Sequence, residues 1–431
     1  MTQPDRTLKP KDQSFEKIIF NKPIEYRLTN GISVFTISQN NTPLISLSID
    51  IKAGEYFQPQ PFVAFATHNL LPKGTLKYSA KIIAEKIASK GADISVSCGT
   101  DYTSVNITCM KDKFASLMQY LDDIIKHPVF NEQELQLLKE KEIQHLHLKE
   151  QKVDYLSSRQ FFKQAFGPQH PMGKLLEEKH IREITSTTLR QHHNNFYTSN
   201  RTVIFCAGAI DDNIIQLLEK TFGSNFNGPS TQNNLNPTFK LSPSSEKFLL
   251  IDKPDAIQSS LKIGFATAKP NQKEYIHLKI LNTIYGGHYS SRLMQNIRQE
   301  KGYTYGIYSS VSIYNDSLVF LIHTDTGAEY TQKVIDEIFS EMNRLHTKLI
   351  HKDELIATQN WILGAMMRMF DGAFSQMNVY RQLYASGLNQ DFYSDYQEEI
   401  MQITPKRIKE LASQYLNPAL MHQVVAGVLK P

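Results

Sequence analysis

Three cysteines among 431 residues, Cys98, Cys109 and Cys206, are too few and odd in number for a disulfide framework. Cys98 and Cys109 fall on the apolar alternation of two successive predicted strands, so both are expected to be buried small hydrophobes. No run approaches the about 18 apolar residues that cross a bilayer, so no membrane span is expected. The opening MTQPDRTLKPKDQ is polar and lacks an apolar signal core, which makes the cytoplasm the expected compartment. Neither sign of charge dominates: 47 basic against 43 acidic residues leave a net +4. There is no basic block with interleaved aromatics, so no nucleic-acid partner is expected.

What remains is ordinary globular composition, 41% hydrophobic and 21% charged. The length, at roughly 150 residues per domain, fits two or three domains. Residues 1–13 read as a loose tail. IEYRLTNGISVFTI reads as a hairpin turning at Asn30-Gly31, and LISLSIDIKAG as a third strand. SAKIIAEKIASKG is a predicted helix capped by Ser79 and ended by Gly91. Strands over Ala92–Cys98 and Thr103–Cys109 follow, with KDKF at Lys111 as a charged turn. KFASLMQYLDDIIKH and ELQLLKEKEIQHLHLKEQ are predicted helices, and TVIFCAGAI a buried strand. From 223 to 246 Asn, Ser and Pro dominate and the apolar period is lost, which marks a linker.

Beyond the linker the pattern restarts. ITSTTLRQHHNNFYTSNRTVIFCAG at Ile184 matches ITPKRIKELASQYLNPALMHQVVAG at Ile403, an offset of 219 (403 − 184). IAEKIASKGADISVS matches LMQNIRQEKGYTYGIYSS with Gly91 on Gly302, an offset of 211 (302 − 91), and NEQEL near Glu134 matches HKDEL near Glu354. Matches in one order at similar offsets imply two homologous halves, 14–222 and 247–431. Each mixes strands suited to meanders with several helices, an α+β class.

Two stretches invite chemistry. FVAFATHNLLPKGT, Phe62–Thr75, is a predicted short helix stopped by Pro72 and Gly74. A helix with His-x-x-Glu-His can hold zinc and set a base beside it, but here Phe65, Ala66, Thr67, His68 and Asn69 occupy those positions. In the second half IYGGHYSSRLMQNIRQEKGYTYGIYSS puts Arg298 in the last turn of a helix ended by Gly302, and Tyr305 at the start of the next strand. Arginine offers a rigid fork of donors, and a tyrosine hydroxyl can donate to an oxygen gaining charge. Each also has a structural explanation, since arginine offsets a helix dipole and tyrosine favours strands.

Both stretches resemble the insulinase/pitrilysin family of zinc peptidases, in its mitochondrial-processing-peptidase-like two-domain branch. There the first stretch typically reads GLAHFLEHMLFKGT; Lys73, Gly74 and Thr75 are kept, while the zinc histidines fall on Phe65 and Asn69 and the catalytic glutamate on His68. The family's third zinc ligand, a downstream glutamate, falls on His147, with the register open by one position; the glutamate seven residues earlier is matched by Glu140. The second stretch keeps Gly286, Gly287, Ser291, Arg292, Leu293, Arg298, Lys301, Gly302 and Tyr305. The resemblance implies two similar halves, each a mostly antiparallel sheet covered by helices. It implies substrate binding by Arg298 and Tyr305, with no metal or other cofactor in this chain and zinc in a partner.

The leading expectation is therefore a non-catalytic subunit of a heterodimeric zinc metallopeptidase, paired with a homologous zinc-bearing subunit around an extended peptide. Two others stay open. One is a scaffold subunit of a larger assembly. The other is an active peptidase with an unusual metal site built from His68, Glu140 and His147, with His145 nearby but off the helix face that Glu140 and His147 share. The Met-rich helix WILGAMMRMF reads as core filling or as an adaptable partner surface.

Overall fold

A computed structural model describes residues 18, 20–39, 41–224, 226 and 237–429. The expected tail, 1–13, and residues 225 and 227–236 of the expected linker lie outside them. Eleven strands in the described residues form two sheets. The first contains β1 (Ile24–Arg27), β2 (Ser33–Ser38), β3 (Leu44–Ile51), β4 (Asp93–Cys98), β5 (Thr103–Met110) and β6 (Thr202–Gly208). The second contains β7 (Phe248–Asp252), β8 (Gln258–Ala268), β9 (Thr304–Tyr314), β10 (Ser317–Gly327) and β11 (His422–Gly427).

The strand orders are β1-β2-β6-β3-β5-β4 and β7-β11-β8-β10-β9. Without β1 they are one topology, with β2, β6, β3, β5 and β4 answering to β7, β11, β8, β10 and β9. In each sheet one pair is parallel, β2 with β6 and β7 with β11, and every other pair is antiparallel. The fold is α+β with two mostly antiparallel, helix-covered sheets. The β1–β2 hairpin closes at Gly31, whose φ of +91° suits a residue without Cβ.

Alternation in the central strands assigns side chains to two different cores. Val34, Ile204 and Cys206 face one side and join Leu47 and Ile49 under the first half's helices. Those helices include Ala80–Ala88, Lys111–Lys126 and Ser186–Phe196. Phe35, Ile37, Val203, Phe205 and Ala207 face the other side and join the core of the second half. The cover on that side is the Gly372–Ala385 helix, through Ala373, Met377, Tyr380 and Leu383. The reciprocal arrangement holds on the second sheet. There Phe161, Ala165 and Phe166, from the Val153–Phe166 helix, pack with Val319 of β10 and Val424 of β11. The two covering helices stand at the repeat offset of 219 (372 − 153 and 385 − 166). Each half thus lends its equivalent helix to the other's sheet.

Ion pairs pin both exchanged helices. Arg381 grips Asp50 of β3 through Nε and Nη2 at 3.0 and 2.9 Å. On the second sheet Lys262 of β8 meets Asp154 at 2.5 Å.

Two local expectations are corrected. KDKF is not a turn: Lys111–Phe114 opens the Lys111–Lys126 helix, with Phe114 fully buried. Met110, the residue before it, makes no side-chain cap, so the usual start signal is missing. Cys98 is only half-buried because β4 is an edge strand, whereas Cys109 and Cys206 are buried. No helix in the described residues is long and apolar enough to cross a membrane.

Candidate functional site

The Phe62–Thr75 stretch forms a helix over Val63–Asn69 and a 3₁₀ turn over Leu71–Lys73. Its N-cap, Phe62, has φ +80°. That is the left-handed region, where a side chain is strained, and the quoted family pattern has glycine at this position. The phenylalanine is nonetheless buried, and its ring stacks on Phe65 with centroids 5.3 Å apart. Phe65 in turn packs against the first core. Asn69 turns its amide back on its own helix, donating to the Phe65 carbonyl at 2.9 Å. The positions of two metal ligands are thus an aromatic plug and a self-bonded amide, neither of which suits zinc.

His68 faces the core. Its side chain is fully buried, with Nε2 2.9 Å from the Ser104 carbonyl and Nδ1 3.2 Å from the Tyr197 hydroxyl. A carbonyl only accepts, so Nε2 carries a proton. Burial lowers the ring's pKa to about 4, against a smaller opposing effect of the Ser104 carbonyl. His192 is also lowered to about 4, chiefly by burial. Both folded pKa values lie below the ordinary 6.5. The unfolded chain therefore binds more protons below pH 6.5, and stability is lost as pH falls from there toward 4. Each ring should contribute up to about 1.4 kcal/mol per pH unit in that window. Urea titrations at pH 7, 5.5 and 4.5 test this. A His68→Gln variant whose stability falls as steeply as the parent's would show that His68 is not one of the titrating groups.

The downstream helix, Glu132–Glu150, does not bring the other candidates to His68. Glu140 is exposed and accepts from Gln136 at 2.7 Å. His145 lies 3.4 Å from Glu142. His147 is bonded at 2.7 Å to Glu178, which also accepts from Arg182 Nε at 2.6 Å. The register left open by one position puts Leu146 in place of His147, and Leu146 is buried in the core that Phe65 abuts. Either register lacks a ligand on the inner face. No group of three or more His, Cys, Asp or Glu is gathered for a metal among the described residues. The expected alternative of His68, Glu140 and His147 as one site is corrected accordingly: their side chains point to different environments.

The second stretch separates into a buried part and an exposed part. Gly286 and Gly287 end the Gln272–Tyr285 helix where a Cβ would come within 2.9 Å of the Ser309 nitrogen or 2.8 Å of the Thr283 Cα. Ser291 and Leu293 are buried. Arg292 makes a two-pronged bond to Glu354 at 2.7 and 2.8 Å, tying the segment to the Lys352–Met369 helix. Lys301 pairs with Glu337. These residues have structural work that accounts for them.

Arg298 and Tyr305 do not. Arg298 lies in a π-helical turn, Met294–Glu300, that ends at Gly302, where φ is +68°. No carboxylate pairs with it among the described residues. Its guanidinium donates to the Tyr289 hydroxyl and lies 4.9 Å from the Tyr289 ring centre and 5.6 Å from that of Tyr305. Tyr305 is 93% exposed and Tyr289 56%. The structure therefore brings the two expected residues together and adds Tyr289, which sequence reasoning missed. Its only signal was a place inside the retained stretch. A stacked guanidinium keeps most of its donors available, and two exposed phenols stand beside it. The arrangement can grip carbonyl oxygens of an extended backbone.

Residues 33–168 match the family described as Insulinase (Peptidase family M16), and residues 183–360 match Peptidase M16 inactive domain. The uncharacterized zinc protease YmxG of Bacillus subtilis is 28% identical over 359 residues, 82% of this chain and 86% of that protein. The non-peptidase homolog YmxG of Helicobacter pylori is 23% identical over 352 residues, 79% of this chain and 78% of that one. A peptidase M16 inactive domain structure from Pseudomonas fluorescens superposes with a TM-score of 0.85 at 20% identity, covering 95% of this chain and all of that one.

Proposed function

The chain belongs to peptidase family M16, the insulinase family, with its zinc site degenerate, and from that premise we propose that it is the non-catalytic subunit of a heterodimeric zinc metallopeptidase. The partner is a homologous chain with an intact His-x-x-Glu-His motif, which holds the zinc. This chain contributes Arg298 and Tyr305 to the partner's site, and the substrate is a peptide bound in extended form. The observation that carries the reading is the contrast within one stretch. Its buried residues have structural partners, while the half-buried Arg298 and the exposed Tyr305 and Tyr289 form a donor cluster beyond what the fold requires. The matching inactive-domain family and the non-peptidase homolog of Helicobacter pylori support a member without its own chemistry. Phe65 and Leu146 offer zinc no lone pair, Asn69 offers only a self-bonded amide, and His147 is turned away to Glu178, which supports it from the other side.

Purified alone, the chain should be folded, retain no stoichiometric zinc after dialysis, and cleave no peptide. Mixed with a homologous zinc-bearing chain, it should elute as a complex that cleaves peptides neither chain cleaves alone. One zinc per isolated chain, lost on His147→Ala, would overturn the reading in favour of an unusual metal site. Full cleavage by the zinc-bearing chain alone would remove any need for a second subunit.

A further inference from the structure

A second cleft has a composition unlike that of the Arg298 cluster. It has a volume of about 230 Å³ and lies between the Gln272–Tyr285, Lys352–Met369 and Phe392–Gln402 helices and β9. Its walls are mainly apolar: Val311, Trp361, Met366, Met369 and Tyr393. Lys279, Asn282 and Thr283 interrupt them, and the Thr283 hydroxyl is already bonded to the Lys279 backbone carbonyl.

Lys279 and Asn282 lack what they need. Other lysines of this half have partners: Lys262 pairs with Asp154, Lys273 with Glu399 and Lys301 with Glu337. Lys279 has no carboxylate partner among the described residues, and its ammonium lies 5.6 Å above the Tyr275 ring. Burial lowers its pKa, with no neighbouring charge opposing. Asn282 donates through Nδ2 to the Ser309 carbonyl at 3.1 Å, which fixes the amide's orientation because a carbonyl only accepts. That leaves its Oδ1 buried with no donor. An unpaired cation and an unpaired acceptor beside an apolar cleft are each unfavourable on their own. Asn282 Oδ1 is closed off from the cleft by its burial, so the cleft itself, with the Lys279 ammonium and apolar walls, is complementary to a ligand with one negative group and an apolar body.

We infer that this cleft binds a free carboxyl terminus ending in an apolar residue. The carboxylate accepts from Lys279 Nζ. The terminal residue's side chain lies against Trp361, Met366 and Met369, where thioethers adapt to varied shapes. The cleft is smaller than the roughly 300–1,000 Å³ of drug-sized pockets, so it takes one residue rather than a folded segment. The inference uses neither Arg298 nor Tyr305 and stands or falls apart from the subunit proposal.

Calorimetric titration of the full chain tests it. The probes are N-acetyl-L-leucine, its carboxamide, and a pentapeptide ending in leucine with a free or an amidated terminus. The free acids should bind at least tenfold tighter than the amides. Lys279→Met should weaken the acids about 10- to 100-fold, the usual worth of a charged hydrogen bond, without lowering the thermal midpoint. Lys279→Gln serves if the methionine variant fails to fold. Methyl signals of Met366 and Met369 should shift with the acids. A free peptide binding tighter than N-acetyl-L-leucine identifies a chain terminus as the natural source. The small acid binding without the peptide points to a free metabolite of the same chemistry. Equal affinity for acids and amides, no binding of any probe, or undiminished binding by both lysine variants overturns the inference.

Discussion

With Tyr305 changed to phenylalanine, the assembled heterodimer is expected to lose about 100- to 1000-fold in turnover, the usual effect of removing one donor to a developing oxyanion. Elution of the complex on size exclusion should not change. Tyr305 is almost wholly exposed, so its hydroxyl holds nothing in the fold. The ring stays in Tyr305→Phe, and with it the face that Arg298 approaches at 5.6 Å. On the proposed reading, the substitution therefore isolates the donor to a substrate carbonyl oxygen as that oxygen gains charge. Arg298→Ala should lose a comparable amount by releasing the extended backbone, and Arg298→Lys should not restore it, because one ammonium cannot reproduce the planar fork. Tyr289→Phe deletes only the hydroxyl that accepts from Arg298, so its loss should be smaller than either. If Tyr305→Phe and Arg298→Ala both leave turnover of an assembled complex unchanged, the cluster is structural, and a scaffold subunit becomes the better description.

Most of the local fold was legible because local rules decided it. Asn30-Gly31 allows little but a hairpin, and Ser79 caps its helix by accepting from the Ile82 amide. The offset of 219 carried the equivalence of β6 with β11, and that of 211 the equivalence of β4 with β9. The exchanged helices were not read, because their partners lie in the other half. A signal was present nonetheless. β6 is buried along its whole length, and β2 has apolar side chains at both Val34 and Phe35. A strand apolar on both faces needs two covers, and the first half supplies only one. For the site, the loss of Phe65 and Asn69 as ligands was plain from residue type alone. The fate of His68 was not, since whether a helix residue faces a cleft or the core depends on neighbours such as Ser104 and Tyr197. Tyr289 was missed for a similar reason: π-helical geometry, not sequence spacing, brings Arg298 over its ring.

The helix exchange makes a second large effect expected, at Arg381. Its side chain crosses from the second half to the first sheet and meets Asp50 through two bonds, of 3.0 and 2.9 Å. Asp50 also accepts from the Ser48 hydroxyl at 2.6 Å. The Asp50 side chain is 8% exposed and that of Arg381 23%. Breaking such a pair leaves a charge without its counter-ion in a site that water cannot easily reach, at about 3–5 kcal/mol. The more buried member suffers more when abandoned. Arg381→Ala, which strands Asp50, should therefore destabilise more than Asp50→Ala, which strands an arginine able to swing toward solvent. Asp50→Asn combined with Arg381→Met should recover part of the loss, since neither residue then needs a counter-charge. The single tryptophan, Trp361, reports from the second half, whereas far-UV circular dichroism reports from both. Because each sheet is covered by the other half's helix, Asp50→Ala in the first half should move both denaturation curves together. Two separated transitions, or a loss below about 1 kcal/mol for Arg381→Ala, typical of an exposed pair, would mean that the exchanged helices are not what holds the halves as one cooperative unit.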